Sequence, residues 1–219
     1  MLRDPHLRGR VEDRLRRFSV RALRADAKHA AAVAVAITDA GHGAELPGLP
    51  RHDTWSSDAA LILTRRAEAL RSHAGQWALP GGRIEAGETA EHAALREMAE
   101  EVALHLDSSA VLGRLDDYIT RSGFVITPVV VWAGAARRIT PHLAEVQSIH
   151  RIPVAELLRP DAPMLESVEG SAHPVLRMPV GHGWIAAPTA AVLYQFCEVC
   201  IGGRATRVAH FDQPAFAWK

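Results

Sequence analysis

The 219-residue sequence predicts an α/β fold in which one mixed β-sheet is flanked by helices. Three observations carry this prediction. Short apolar runs intermix with helix-patterned stretches without the regular strand-helix-strand rhythm of an all-parallel sheet. Residues 90–102 place an apolar helical face opposite an acidic one. No internal repeat is present, and 48% hydrophobic with 23% charged residues is a globular composition. The length suits one domain with an extension.

Taken in order, Val11, Leu15, Phe18 and Ala22 recur at helical spacing, so residues 1–28 predict an amphipathic N-terminal helical extension. Residues 30–37 form a short apolar run that suits a buried strand. Residues 38–57 are rich in Gly, Pro, His and Asp and read as an insertion loop. Strands follow at 60–64 and 76–79, after which Pro80, Gly81 and Gly82 break regular structure. Thr89 is placed to cap a helix over 90–102. Residues 110–120 and 124–132, separated by Arg121, Ser122 and Gly123, read as a hairpin. A strand at 147–152, a helical turn at 153–158, a loop-rich stretch at 159–183 and a closing helix at 188–201 complete the domain, which ends before Gly202 and Gly203. Residues 29–203 thus form the folded domain and 204–219 a C-terminal tail.

Charge and cysteine content narrow the function classes. The 25 basic and 25 acidic residues cancel, which argues against a whole-chain nucleic-acid binder. Only Lys28 and Lys219 are lysines; arginine, which supplies the remaining basic residues, suits phosphate, although a GC-rich genome produces the same bias. Cys197 and Cys200 cannot build a disulfide framework, no apolar run approaches the roughly 20 residues of a membrane span, and no secretory signal is visible. A cytoplasmic protein with no nucleic-acid or membrane partner is expected, with a homodimer left open. The two cysteines lie inside an apolar helix and read as buried thiols. The 12 histidines show no metal-ligand spacing. Among the tryptophans, Trp132 is expected in the core.

The informative stretch is GRIEAGETAEHAALREMAEEVAL, residues 82–104. On a helix, Leu95, Met98 and Val102 share one face, and Glu97, Glu100 and Glu101 gather on roughly the opposite side. Three carboxylates so placed repel each other, and a divalent cation reverses the sign of that interaction. Taken alone, the acidic face also fits an ordinary solvated helix surface.

The spacing of the surrounding residues resembles the Nudix hydrolase box, G-x5-E-x7-R-E-U-x-E-E-x-G-U with U aliphatic. Gly82, Glu88, Arg96, Glu97, Met98, Glu100, Glu101 and Leu104 match in register, and Ala103 stands where the family has glycine. Residues 62–82, ILTRRAEALRSHAGQWALPGG, are similar to the motif preceding the box in the coenzyme A pyrophosphatase branch. Thr64, Arg66, Ala67, Arg71, Gly75, Pro80, Gly81 and Gly82 fit, and Leu79 replaces a phenylalanine. Weaker matches extend to Thr189 and Ala190, so the resemblance covers roughly residues 30–200, the insertion at 38–57 excepted.

The resemblance implies a Nudix-type α/β/α sandwich with a mixed sheet and a loop-helix-loop catalytic motif. It also implies Mg²⁺- or Mn²⁺-dependent hydrolysis of a nucleotide-type substrate, a nucleoside diphosphate linked to another moiety. For coenzyme A or acyl-coenzyme A the products are 3′,5′-ADP and the (acyl-)4′-phosphopantetheine. By the same resemblance Glu97 and Glu101 are the main metal ligands, Glu100 is a further ligand or base, and the Gly81 carbonyl completes the sphere. Arg96 orients these carboxylates with Glu88 as partner, or the two form an ordinary ion pair. Glu145 is the candidate base, or else an exposed loop glutamate. Arg66, Arg71 and His73 are candidates for contacting substrate phosphates, with Arg66 alternatively pairing with an acidic residue. Two alternatives stay open: the same chemistry on ADP-ribose, NADH or a nucleoside triphosphate, and a non-catalytic ligand-sensing module.

Overall fold

The computed structural model describes residues 1–24, 29–70, 74–167 and 173–213. The chain opens with α1 (Pro5–Arg17), followed by β1 (Ala30–Gly43), β2 (Arg51–Arg66), β3 (Trp77–Ala78), β4 (Gly81–Arg83) and α2 (Ala90–Val102). A 3-10 turn leads into β5 (Val111–Arg114), β6 (Tyr118–Ile119), β7 (Val125–Gly134), β8 (Val146–Pro153) and α3 (Val154–Leu157). The last elements are β9 (Met164–Glu166), β10 (Val175–Val180), β11 (Gly183–Ala186) and α4 (Thr189–Phe196).

β1 organises an eight-stranded mixed sheet. It runs parallel to β7 over its whole N-terminal half and antiparallel to β2 and β4. β3 and β8 add to β2, and β5 and β6 add to β7. The β1 sequence alternates small and branched residues, and this sorts the two faces. Ala32, Ala34 and Ala36 meet Ala93, Ala94 and Met98 of α2, so the helix lies close against the strand. Val35 and Ile37 point the other way, into a larger core with Leu7, Val11 and Leu15 of α1 and Leu193 and Phe196 of α4. Helices therefore cover both faces of the sheet, the sandwich that the sequence predicts. Among the described residues no helix is long and apolar enough to cross a membrane.

α1 is shorter than expected. Asp4 caps it by accepting from the Leu7 N–H at 2.8 Å, Pro5 occupies the first turn, and the helix stops at Arg17, leaving Ala22 exposed and non-helical. Arg14 reaches across to the carbonyls of Cys200 (2.9 Å) and Ile201, fastening α1 to the far end of the chain. Cys197 and Cys200 are buried free thiols there.

Residues 38–57 are not a loop. They extend β1 and β2 into a long hairpin whose connection is only residues 44–50. Composition misled because glycine usually ends a strand, whereas here Gly41 (φ 62°) and Gly43 (φ 108°) sit at bulges where pairing shifts register and continues. Buried polar contacts hold the hairpin. Asp39 accepts from Trp55 Nε1 at 2.7 Å and pairs with Arg3, and Arg151 donates to Thr38 Oγ1 at 3.1 Å and to the Asp39 carbonyl at 3.0 Å.

The stretch 159–183 also departs from expectation, because β9, β10 and β11 form a second, three-stranded antiparallel sheet. Val180 pairs with Gly183 across the two-residue turn Gly181-His182, with Gly181 at φ 53°. The prolines at 163, 174 and 179 obscure these short strands in the sequence. The closing helix is α-helical only to Phe196 and continues as a π-helical turn, Cys197–Gly202.

Candidate active site

The loop before α2 and the helix itself are locked by one side chain. Arg96 grips Glu88 with two hydrogen bonds, Nε to Oε1 at 3.0 Å and Nη2 to Oε2 at 3.2 Å. Its Nη1 donates to Glu97 Oε1 at 2.8 Å and Glu100 Oε2 at 2.9 Å, and its Nη2 also reaches the Arg83 carbonyl at 3.0 Å. This fork geometry suits a planar guanidinium and not an ammonium. The hydrogen bond from Arg96 holds the Glu88 carboxyl below the usual range, and its carboxylate partners push the guanidinium pKa up. α2 starts at Thr89, whose hydroxyl accepts from the His92 N–H at 3.2 Å. It ends at Ala103, which adopts the left-handed conformation (φ 55°, ψ 32°) that glycine would take more readily.

The three glutamates of the acidic face separate. Glu97 and Glu101 are buried, with 8% and 4% exposure, whereas Glu100 lies in solvent and leans on Arg96. Among the described residues no three His, Cys, Asp or Glu side chains converge closely enough to hold a metal ion together. What the fold presents is a buried carboxylate pair. Burial raises the Glu97 pKa against the opposing pull of Arg96. Burial, then the Glu97 charge, push Glu101 up to about 8, opposed by Arg66 and by a hydrogen bond from the Gly81 backbone. Among the described residues Glu101 Oε2 is buried with no hydrogen-bond partner. An unpaired buried carboxylate oxygen costs free energy unless a cation or a proton meets it.

Glycine makes this arrangement possible. A Cβ on Gly82 would overlap the Glu97 carboxylate, 2.6 Å from its Cδ, and one on Gly81 would fall 2.7 Å from the Val33 Cα. β4 can therefore slide between β1 and the carboxylates only as a glycine strand.

The other expected residues fall around this pair unevenly. The stretch before β8 is tied to the end of α2 through His142 N–H to the Glu101 carbonyl at 2.9 Å. It is tied to the end of β2 through Ala67 N–H to the Glu145 carbonyl at 2.9 Å. Glu145 is exposed, and its segment, bonded to the Glu101 carbonyl through the His142 N–H, brings its charge within electrostatic reach of Glu97 and Glu101. Arg66 sits at the end of β2 within electrostatic reach of Glu101, and its buried Nε has no hydrogen-bond partner among the described residues. Arg71 and His73 lie outside the described residues.

Beside β4, on the α4 side of the sheet, opens a cavity of about 360 Å³ lined by Arg66, Trp77, Gly82, Phe124, Ile126 and Val192 among others. The sequence gives no local signal for it, because its apolar walls come from four separated segments and read individually as core.

Residues 53–169, more than half of the chain, match the NUDIX domain. The chain belongs to the Nudix family. This Nudix chain is 36% identical over 104 residues to Nudix hydrolase 3 of Caenorhabditis elegans, covering 46% of its own length and 43% of that protein. Over 97 residues it is 42% identical to an uncharacterized Nudix hydrolase, NudL, of Pectobacterium atrosepticum, covering 44% of its own length and 50% of that protein. The matches thus span about half the length of these curated relatives. The crystal structure of a NUDIX hydrolase from Alicyclobacillus acidocaldarius superposes with a TM-score of 0.50 at 18% identity, covering 88% of this chain and 98% of that one. That likeness concerns the Nudix fold.

Proposed function

We propose that this Nudix chain is a divalent-metal-dependent diphosphatase of nucleoside diphosphate-linked substrates. Coenzyme A or acyl-coenzyme A is the leading substrate, cleaved to 3′,5′-ADP and (acyl-)4′-phosphopantetheine. The observation that carries the reading is the buried pair Glu97 and Glu101, with Glu101 Oε2 unpartnered among the described residues. Two desolvated carboxylates side by side are disfavoured in an empty site and favoured around a hard cation, so the donor set fits Mg²⁺ or Mn²⁺. Support for the coenzyme A branch comes from the Thr64 to Gly82 motif.

In this reading Glu97 and Glu101 would hold the ion with the Gly81 carbonyl, and Glu100 would join them only on leaving Arg96. A divalent ion bound there neutralises the diphosphate and lowers the pKa of the attacking water. Arg96 fixes the Glu97 carboxylate through Nη1 while anchoring the loop through Glu88, so the ligand is held before substrate arrives. Glu145, exposed beside the pair, takes the proton of the attacking water on its carboxylate as the new bond to phosphorus forms and the bridging P–O bond breaks. Arg66 lies between Glu101 and the cavity, where its guanidinium balances a phosphate oxygen. Arg71 and His73 are assigned to the same task on motif position.

The test is a product-release screen of coenzyme A, ADP-ribose, NADH and dinucleoside polyphosphates with Mg²⁺ and Mn²⁺. Coenzyme A is expected to turn over fastest, and Glu97→Gln and Glu101→Gln each to abolish metal-dependent turnover. Wild-type kcat in Glu145→Gln across several pH values removes the base assignment. No hydrolysis of any substrate by metal-loaded protein overturns the reading in favour of a ligand-sensing module.

A further inference from the structure

The cavity beside β4 has a one-sided chemistry. Among the described residues no acidic side chain lines it, and the two cations that do, Arg66 and Arg83, both stand by the glycine strand that borders Glu97 and Glu101. The Arg83 guanidinium lies 5.3 Å from the centre of the Phe124 ring. The remaining walls are largely apolar, with Trp77, Leu79, Ile126 and Val192 prominent.

Apart from Gln76, the uncharged polar side chains that line the cavity already bond to the protein. Thr189 Oγ1 donates to the Trp77 carbonyl at 3.3 Å. Thr120 and Ser122 share a hydroxyl hydrogen bond at 2.9 Å, and Thr120 Oγ1 also accepts from the Phe124 N–H. The Gln213 amide accepts from the Arg121 N–H at 3.3 Å and donates to the Ile119 carbonyl at 3.2 Å. A nucleobase buried here would leave most of its ring nitrogens and exocyclic groups without partners, which is costly. An aliphatic chain makes no such demand. At about 360 Å³ the space is within the roughly 300–1,000 Å³ of small-ligand sites.

We infer that this cavity binds the flexible apolar arm of the substrate, an acyl thioester chain, and that the nucleoside lies outside it. The inference rests on the diphosphatase reading for the placement of the phosphates and deepens it. The diphosphate then lies along the glycine strand between Arg66 and the carboxylate pair, and the acyl chain enters the cavity toward Val192 at the far end of the intervening pantetheine arm. Selectivity for chain length follows from the cavity wall, since each methylene removed from water adds a similar increment of binding.

Calorimetric titration of the full chain with two product fragments tests this. Octanoyl-4′-phosphopantetheine is expected to bind at least roughly tenfold more tightly than 4′-phosphopantetheine, the gain from burying about two methylenes. Val192→Trp, which fills the cavity, is expected to erase that gain. Val192→Ala, which enlarges it, moves the preference toward a dodecanoyl chain and covers the case in which the tryptophan variant fails to fold. Equal binding of the two fragments by the wild type overturns the inference. So does a Val192→Trp variant that loses 3′,5′-ADP while keeping the octanoyl preference, because the nucleoside then occupies the cavity. Failure of the diphosphatase reading shows separately, as absent hydrolysis, and leaves this fragment series to be judged by itself.

Discussion

The Cα of Gly82 faces the carboxylate of Glu97 so closely that a methyl group there would overlap Oε1 and lie 2.6 Å from Cδ. Glu97 cannot swing aside freely, because Arg96 holds Oε1 at 2.8 Å. Gly82 has no positive φ, so alanine fits the backbone and the clash is confined to the carboxylate. Gly82→Ala should therefore leave the chain folded while displacing Glu97. The expected outcome is a metal-dependent activity lowered on the order of 100-fold, with a Tm change of only a few degrees. Equal loss of fold and activity by circular dichroism would count against this division.

Glu101 stores an unfavourable burial that a bound cation relieves. Mn²⁺ added to the wild type should raise Tm in a concentration-dependent way, because the ion binds the native state and not the unfolded chain. Glu101→Gln keeps the shape, removes the charge and leaves an amide that competes poorly for a hard cation. That variant should lose most of the Mn²⁺-induced shift while melting, without metal, no lower than the wild type. A metal shift unchanged in Glu101→Gln, read by scanning calorimetry, would place the ion elsewhere.

His150 gives the fold a titration away from the carboxylates. Its Nδ1 meets the Ala44 carbonyl at 2.8 Å, its Nε2 meets Ser148 Oγ at 2.7 Å, and its ring lies edge-on to Trp77 at 5.0 Å. Burial first, and the nearby Arg65 charge, depress its pKa from the ordinary 6.5. The unfolded chain therefore takes up a proton, as pH falls below 6.5, that the folded ring still refuses. Its contribution to stability is full above pH 6.5 and is lost progressively below it, down to the folded pKa. Over pH 7.5 to 5 the raised Glu101 pKa acts in the opposite sense, stabilising the fold as pH falls, so the His150 contribution is read as a difference between variants: His150→Gln should gain more Tm on acidification than the wild type. A variant with the same slope as the wild type would show that His150 contributes nothing to the pH dependence.

The helix and its hydrogen bonding were legible because they are local. Thr89 caps, the apolar face of Leu95, Met98 and Val102 buries, and Arg96 sits where it can grasp Glu88, all within one short segment. What the sequence did not reveal depends on distance. Which part of the acidic face is buried depends on β4 and the 140–146 stretch packing beside α2, so the burial of Glu97 and Glu101 with Glu100 left in solvent is not in the helix sequence. The hairpin at 38–57 reads as loop because Arg3 and Arg151, which hold it, are remote in sequence, and Trp55 reaches Asp39 only once the two strands pair. The second sheet is hidden by prolines, although the Gly181-His182 pair between apolar runs is a usable turn signal.

Ala103 is the position where the chain departs from its family's box, and the structure shows what the departure costs. Ala103 takes φ 55° and ψ 32°, and the Leu104 N–H still closes on the Met98 carbonyl at 3.1 Å. An alanine in this region crowds its Cβ against backbone, at about 1–2 kcal/mol relative to a residue free of that contact. Ala103→Gly should therefore stabilise the chain by roughly 1 kcal/mol, offset in part by the greater freedom of glycine when unfolded. For a chain of this length that is a Tm rise of about 2–4 °C. The methyl group lies beyond the last carboxylate of α2, so kcat/KM should stay within about twofold of wild type. Differential scanning calorimetry with a parallel activity assay decides it: a lower Tm in Ala103→Gly would mean that the alanine methyl contributes packing that outweighs its backbone strain.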